Sequence, residues 1–418
     1  ITLKVPQSVL LGAAQIYIER PSFAGGYEIS QAFKITNKGG YAFLGGRDQH
    51  FDTALQVIDL SGGDSAVQER VIKRITLMDA GAPDVTNIFD TVATADLSRV
   101  YVATPQGVAL VDAMTLEQFD ANPATAEIDL IKLPGNSYSS ALALDPQGRY
   151  LYVAGTGAVY VIDIRPESAD FNKVVDTIQI NAPDAGKINS LAVTADGKRL
   201  FVAVPGSGMF STTPSWVHNP GGALKGQIVV INVDEEERPF DDDEATNWRT
   251  IIKTLNAFME PFEIKATADP TRLMFTSRGD LNRGLHTIKI TNNSSASFAA
   301  ELDGGNSPVS LELNAPPGVG VKYWPVQDGN NYYVGGYSAR LGQYFDLDVR
   351  NASGVAFTAD LKYAFVADWA VSRFLFQPAD IAAAFEDLHG WGSKIGIIQD
   401  PFGPNRKYLG APTPVPLG

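Results

Sequence analysis

A motif made of a threonine, an aspartate turn and an aromatic residue in the following apolar run recurs along this 418-residue chain. Four copies keep the full spacing, and they begin at Thr94, Thr194, Thr267 and Thr358. In each copy, the apolar runs on either side of the turn predict two strands joined by a tight polar connection. Repetition at such intervals is typical of a radial or stacked β architecture, which leaves few other folds open to the chain.

Three weaker copies, which begin at Thr36, Asp145 and Val326, bring the set to seven. Most intervals match a four-stranded unit of about 40 to 50 residues that carries a variable insertion. The interval from Val326 to Thr358 is short for four strands. The copy at Val326 is therefore either a trimmed blade or a hairpin inside a long insertion, and we expect a blade.

A third apolar run follows the aromatic strand, as at 157–164 and 227–233, and a more polar fourth run follows it at 173–180. No helical period separates these runs, which excludes a parallel βαβ sheet and favours four-stranded antiparallel blades. The sequence therefore predicts an all-β fold in which residues 1–400 form a single β-propeller. We expect seven blades, with six as the alternative.

The two ends of the chain differ from its middle. Residues 1–30 predict a ring-closing strand region, in which a strand at 14–19 lies beside a strand at 394–398 and leaves no open sheet edge. The one convincing helix spans 378–388. Residues 401–418 contain five prolines and predict an extended linker or tail. The chain begins at Ile1, from which we expect either a removed leader or a segment of a longer protein with neighbouring domains.

The run Asp196-Gly197-Lys198-Arg199-Leu200-Phe201-Val202-Ala203, with a Val-x-Val-Ile-Asp type of strand after such turns, resembles the YVTN-type β-propeller repeat of prokaryotic surface proteins. The resemblance extends over roughly residues 31–385 and departs from the family pattern at 38–40, 205–226 and 326–358. It implies a bacterial exported or cell-surface protein, extracellular or at the cell surface, with the periplasm as the alternative. Such propellers serve many roles, so the resemblance implies a fold and not an activity.

Composition excludes several classes of function. The chain has no cysteine, which rules out disulfides, thiolate nucleophiles and thiolate metal sites. Its 33 basic and 47 acidic residues give a net charge of -14, which repels phosphate backbones, so we expect no nucleic-acid partner. No apolar stretch approaches the ~20 residues of a membrane helix, so we expect no membrane insertion.

The repeated aspartates form a ring of carboxylates in sequence and invite a catalytic interpretation. They are Asp96, Asp196, Asp269 and Asp360, and each holds the same place in its repeat. Aspartate commonly accepts a hydrogen bond from a backbone N–H two residues on and so fixes a turn. A catalytic residue would occur in one blade and break the pattern. We therefore predict that these aspartates are structural.

Binding residues are expected where the repeat is interrupted, because long loops on a rigid ring carry binding functions. The insertion at 205–226 carries Phe210, Trp216 and His218. A second interruption, in the fifth repeat, carries Arg278-Gly279-Asp280 and then His286. An exposed Arg-Gly-Asp can engage an integrin, although Gly-Asp is also ordinary turn chemistry. The aromatic residues of the insertion have packing onto the blade as their alternative role.

No cofactor is predicted, although a surface or axial Ca²⁺ stays open as an alternative. The densest acidic run, 234–244, lacks the glycine and the bidentate glutamate of an EF-hand loop. We interpret it as a solvated charged loop. The four histidines have no paired ligand spacing, yet they could meet at the axis of a propeller; they are His50, His218, His286 and His389.

The expected function is a non-enzymatic binding or scaffold module that presents loops on one propeller face to a protein or carbohydrate partner. It has no predicted catalytic residue. The competing interpretation is a propeller enzyme, similar to lactonases and lyases that place a polar or metal site at the axial funnel. Its candidate residues would be Arg47, Asp48, His50, Arg278 and His286.

Overall fold

A computed structural model describes most of the repeat region and, toward the N-terminus, isolated strands. The described residues are 12–16, 19–21, 27–29, 33–37, 41–47, 53–59, 71–82, 85–122, 124–182, 188–205, 226–240, 246–257, 261–277, 284–302, 321–322, 326–328, 331–333, 336–338, 343–345, 352–368, 395–403 and 407–410. Nearest the N-terminus are two strand pairs, β1 with β4 and β2 with β3; the strands are β1 (Gly12–Ile16), β2 (Glu19–Pro21), β3 (Tyr27–Ile29) and β4 (Phe33–Asn37).

Six antiparallel sheets then follow one another along the described chain, and we number them blades 1 to 6. Blade 1 is β5 (Tyr41–Arg47), β6 (Thr53–Asp59) and β7 (Val71–Ile75). Blade 2 is β8 (Asp90–Ala93), β9 (Arg99–Thr104), β10 (Gly107–Asp112) and β11 (Glu117–Phe119). Blade 3 is β12 (Ala141–Leu144), β13 (Tyr150–Ala154), β14 (Ala158–Asp163) and β15 (Lys173–Gln179). Blade 4 is β16 (Ser190–Val193), β17 (Arg199–Val204), β18 (Gln227–Asn232) and β19 (Ile251–Asn256).

Blade 5 is β20 (Pro261–Ala266), β21 (Arg272–Ser277), β22 (Gly284–Asn292) and β23 (Ala299–Leu302). Short strands that pair with no blade come next: β24 (Val321–Lys322), β25 (Val326–Asp328), β26 (Asn331–Tyr333), β27 (Gly336–Ser338) and β28 (Gln343–Phe345). Blade 6 is β29 (Ala352–Phe357), β30 (Tyr363–Asp368), β31 (Ile395–Gln399) and β32 (Lys407–Gly410). Two 3₁₀ turns of the described residues, Pro134–Asn136 and Glu235–Glu237, lie in connections.

The central strands of blades 2 to 5 are buried on both of their faces, which explains their largely apolar sequences. All six residues of β14 and all six of β17 are buried. Alternate residues of one strand pack against opposite neighbours: Val100 and Val102 face blade 1, whereas Tyr101 and Ala103 face blade 3. A sheet packed on both faces needs continuous hydrophobicity and not the alternation of a half-exposed sheet.

An apolar core fills each gap between consecutive blades from 1 to 6. The core between blades 4 and 5 contains Phe201 and Phe275, and the core between blades 5 and 6 contains Met274, Val355 and Val366. Blade 5 therefore packs directly on blade 6. The architecture is an all-β, six-bladed β-propeller of antiparallel sheets, five of which have four strands in the described residues.

The expected count of seven blades is corrected by this packing. The motif copy at Val326 forms the hairpin of β25 and β26, which pairs with no blade. Because β20 contacts β29 directly, no sheet separates blade 5 from blade 6 in the described chain. The alternatives considered above, six blades and a hairpin inside a long insertion, are the ones that agree with the structure.

The ends of the chain also differ from expectation in part. Strand β31 pairs with β30 on one side and β32 on the other, so it does not pair with an N-terminal strand. Strand β1 pairs with β4 instead. Residues 407–410, within the segment expected as a linker, form the outer strand of blade 6. The helix expected at 378–388 lies outside the described residues.

The repeated aspartates fasten turns, as predicted. In blade 4, Thr194 Oγ1 donates to Asp196 Oδ1 at 2.5 Å, and the same oxygen accepts from the backbone N–H of Lys198 at 3.1 Å. Equivalent bonds fix the turns at Asp96, Asp269 and Asp360. These carboxylates thus form hydrogen bonds within their own turns, one in each of blades 2, 4, 5 and 6.

The connections define two faces of the ring. The turn face carries the first-to-second-strand turns, such as 94–99 and 194–199. The insertion face is the opposite end, where second strands pass to third strands and one blade passes to the next. The stretches 206–225, 278–283 and 369–394 each join a second to a third strand, so the chain leaves the described sheets at the insertion face. Among the described residues, no helix is long and apolar enough to span a membrane.

Candidate functional site

The first strands of blades 2 to 6 lie innermost, where they contact one another around the ring axis. Each of these strands pairs with its own blade on one side only, so its other edge has backbone groups that need partners. Polar side chains from the preceding blade supply several of them. Asp90 Oδ2 accepts from Leu142 N at 2.8 Å, Ser140 Oγ donates to Ile188 O at 2.8 Å, Ser190 Oγ accepts from Ile264 N at 3.2 Å and Glu263 Oε2 accepts from Val355 N at 2.6 Å.

This polar belt is neutral at blades 3 and 4 but charged at blades 2 and 5. Ser140 and Ser190 provide the neutral contacts, and Asp90 and Glu263 provide the charged ones. A third charge, Lys265, lies two residues beyond Glu263 on β20, and successive odd positions of a strand share one side. We name Asp90, Glu263 and Lys265 the axial cluster.

Lys265 remains protonated while reaching into a space that water can enter. Its Nζ lies 3.0 Å from Glu263 Oε1, and 52% of its side chain is accessible, against 25% for Glu263. Desolvation by the surrounding blades opposes its charge, but attraction and hydrogen bonding to Glu263 and attraction to Asp90 prevail and raise the pKa of Lys265. At neutral pH the side chain is therefore a hydrogen-bond donor and not a base.

Asp90 is the carboxylate of the axial cluster whose ionised form is disfavoured by its surroundings. Burial raises the pKa of its carboxyl, and the repulsion of Glu263 adds to this effect. The N–H groups of Leu142 and Thr91 and the charge of Lys265 act in the opposite direction without cancelling the burial. A carboxyl whose pKa is raised by burial beside a charged partner is a candidate for a functional group.

The axial cluster extends along the inner strands. Asp90 begins β8 at the insertion face, whereas Glu263 and Lys265 are the third and fifth of the six residues of β20 and lie farther along the axis. The arrangement offers one ammonium donor and two carboxylate acceptors, with one net negative charge when both carboxyls are ionised. It can bind polar groups that enter the axis.

Most residues singled out from sequence lie outside the described chain. Phe210, Trp216 and His218 belong to 206–225, and Arg278 and Asp280 belong to 278–283. Of the residues proposed for an enzyme, Asp48 and His50 also lie outside it. Arg47 ends β5, where its backbone pairs with Thr53.

His286 is described, and it lies inside blade 5. It occupies the third strand of that blade, is 3% exposed and stacks on Phe275 with ring centroids 4.8 Å apart. The structure thus places it neither on the neighbouring connection nor at the axis. His218, His50 and His389 lie outside the described residues, so the meeting of four histidines at the axis gains no support.

The acidic run 234–244 uses its described carboxylates for local contacts. Asp234 caps the turn Glu235–Glu237 and, together with Glu236, binds Lys198. Residues 241–245 lie outside the described chain. Within the described residues, no group of three or more His, Asp or Glu side chains is arranged to hold a metal ion.

Sequence reasoning missed the axial cluster, although a weak signal was present. The inner strands of blades 3 and 4 read Ala-Leu-Ala-Leu and Ser-Leu-Ala-Val, whereas β20 reads Pro-Phe-Glu-Ile-Lys-Ala. Two charges in the strand that lines the axis break the pattern of the inner strands.

Comparison with known proteins adds a likeness of shape. No family model matches the chain, and no curated protein matches it in sequence. Candidate 6-phosphogluconolactonases of Bacteroides fragilis and Bacteroides uniformis, both 12% identical, have TM-scores of 0.47 and 0.45. The match to the B. fragilis protein covers 94% of this chain and 89% of that protein. The match to the B. uniformis protein covers 92% of this chain and 87% of that protein. The Cps50 (Swd1) β-propeller domain of Myceliophteria thermophila is 12% identical, with a TM-score of 0.45 and coverage of 88% and 82%.

Proposed function

We propose that this chain is a non-enzymatic binding propeller of a bacterial exported or cell-surface protein, with its partner, a protein or a carbohydrate, held on the insertion face. The observation that carries the proposal is the axial cluster, whose charges are accessible to solvent and begin, with Asp90, at the insertion-face end of an inner strand. The resemblance of the turns to YVTN-type repeats supports the surface location. On the turn face, by contrast, the connections are short turns whose carboxylates already accept hydrogen bonds within the turn.

A second candidate function is favoured by the raised pKa of Asp90. A carboxyl that retains its proton to higher pH beside a protonated lysine can serve as a general acid or base. In that case the propeller would be a lactonase- or lyase-like enzyme with a polar site at the axial funnel. Glu263 and Lys265 would then position the substrate.

The test is a binding and turnover panel on the purified chain. Immobilised glycans and extracellular protein ligands probe binding, and a set of sugar lactones probes turnover. In a variant, residues 206–225 are replaced by the short Pro105-Gln106 turn that blade 2 has at the equivalent place. We expect this variant to bind its partner at least about tenfold more weakly, because the insertion is the expected contact.

The matched control changes the turn face, where Leu97→Ser and Met114→Ser alter exposed apolar side chains. It should bind like the wild type. Equal losses from both faces would contradict the proposal. Turnover of a lactone that Asp90→Asn abolishes would replace it with the enzymatic function.

A further inference from the structure

We propose that the axial cluster recognises the hydroxyl groups of a neutral carbohydrate that enters the ring axis from the insertion face. This inference rests on the proposed binding function and names the ligand class. It differs from the sequence-based expectation, which placed binding in the insertions, because it is carried by Asp90, Glu263 and Lys265 alone.

The fold itself does not require these charges. Each inner strand must satisfy the open edge of its neighbour, and serines do so at blades 3 and 4 through Ser140 and Ser190. Asp90 and Glu263 perform the same bonding at blades 2 and 5 at the added expense of desolvating a carboxylate. Lys265 takes no part in edge bonding. The charges therefore have a purpose beyond edge satisfaction.

The charges of the axial cluster suit a ligand that both donates and accepts hydrogen bonds. The ammonium of Lys265 has three N–H groups, of which Glu263 takes one, so donors remain for a ligand. The carboxylates of Asp90 and Glu263 each accept a backbone N–H and keep further lone pairs. A hydroxyl group both donates and accepts, so adjacent sugar hydroxyls can bond to the ammonium and to a carboxylate together.

The charges of the axial cluster oppose ions of either sign. A free cation would meet the charge of Lys265, and a phosphate or carboxylate would meet the charges of Asp90 and Glu263. A neutral polyol meets neither penalty. The described residues also contain no set of side chains arranged to hold a metal.

Two side chains of the axial cluster are accessible from the solvent. More than half of the Lys265 side chain and a quarter of the Glu263 side chain are accessible to solvent. The charged groups of the axial cluster can therefore meet a ligand that enters the axis.

The experiment titrates the chain with maltose, cellobiose, mannobiose and N,N′-diacetylchitobiose, and with calcium chloride, inorganic phosphate and glycine as charged probes. Heats of binding are measured by calorimetry, and amide shifts by NMR. We expect at least one disaccharide to bind and to shift the amides of Thr91, Leu142 and Lys265. Lys265→Met should weaken that binding at least about tenfold, the usual effect of losing a hydrogen bond to a charged group.

Lys73→Met is the matched control, because Lys73 pairs with Glu117 on outer strands and not at the axis. It should leave the affinity unchanged. Lys265→Gln, which retains a donor, should restore part of the affinity. An unchanged thermal melt of each variant shows that folding is not the cause.

Three results would overturn the inference. One is disaccharide binding that Lys265→Met changes by less than twofold, and another is saturable binding of a charged probe that Lys265→Met reduces while no disaccharide binds. The third is a blank across the saccharides while the insertion face still binds a protein partner, which leaves the proposed function standing. If neither the saccharide titration nor the partner-binding panel detects binding, both the inference and the proposed function are contradicted.

Discussion

Truncation of Phe201 to alanine is expected to lower the free energy of unfolding by about 3 to 5 kcal/mol. The side chain is fully buried between blades 4 and 5, where its ring meets that of Phe298 edge-on with centroids 6.2 Å apart. Removing it leaves a cavity that two stiff sheets cannot close. Because a domain is stable by only about 5 to 15 kcal/mol, the loss is a large share of the total.

Urea unfolding followed by tryptophan fluorescence measures this change, with Phe240→Ala as the control. Phe240 is 94% exposed, so its truncation should alter the free energy of unfolding by less than about 0.5 kcal/mol. A loss below 1 kcal/mol for Phe201→Ala, or equal effects of the two truncations, would contradict the packing of blade 4 on blade 5.

The second large effect is pH-dependent and concerns Asp163 at the end of β14. Desolvation opposes the charge of its carboxylate, which is 2% exposed. Hydrogen bonds from the Arg165 guanidinium at 2.5 and 3.0 Å, from the Arg165 backbone and from Ser168 prevail and lower the pKa of Asp163 to about 2.

The direction in which stability changes with pH follows from the difference between the folded and unfolded pKa values of Asp163. The folded pKa lies below the unfolded value of about 3.9, so the unfolded chain binds the proton more readily in that interval. The stabilisation is complete above the unfolded pKa and is lost as pH falls through about 2. The difference corresponds to about 2 kcal/mol, allowing for screening at the rim of the sheet, where the Arg165 side chain is 37% exposed.

Asp163→Asn should therefore lower the free energy of unfolding by about 2 kcal/mol at pH 7, with the difference from wild type shrinking as pH falls toward 2. Urea unfolding at several pH values tests this. Asp170→Asn, in the same connection but with a side chain 60% exposed, is the control and should show no such difference. A pH-independent effect of Asp163→Asn would show that shape, and not charge, holds this turn.

The parts of the fold that depend on neighbours in sequence were predictable. The turn at Asp196 and the strands that flank it follow from hydrogen bonds within five residues and from apolar runs that either neighbouring blade can bury. The same local rules produced the error in blade count. The hairpin of β25 and β26 satisfies the turn pattern, but membership of a blade requires packing that no short pattern encodes.

The axial cluster was beyond sequence reasoning for a related reason. Asp90 belongs to blade 2 and Lys265 to blade 5, so they are far apart in sequence. Their charges act on each other only because the inner strands converge at the ring axis. The charges of β20 were visible as a departure from apolar inner strands. Their partner on β8 was not, because its position at the axis is set by the packing of the blades on one another.

The account depends most on the meeting of Asp90 with Lys265, and a ¹³C-NMR titration of the Asp90 side-chain carboxyl tests it directly. Because burial raises the pKa of Asp90 and Lys265 partly offsets this, the account predicts a pKa above the ordinary value in the wild type. In Lys265→Met it predicts a further rise, and in Lys73→Met no change. A pKa at or below the ordinary value, or one that Lys265→Met leaves unchanged, would contradict the axial cluster.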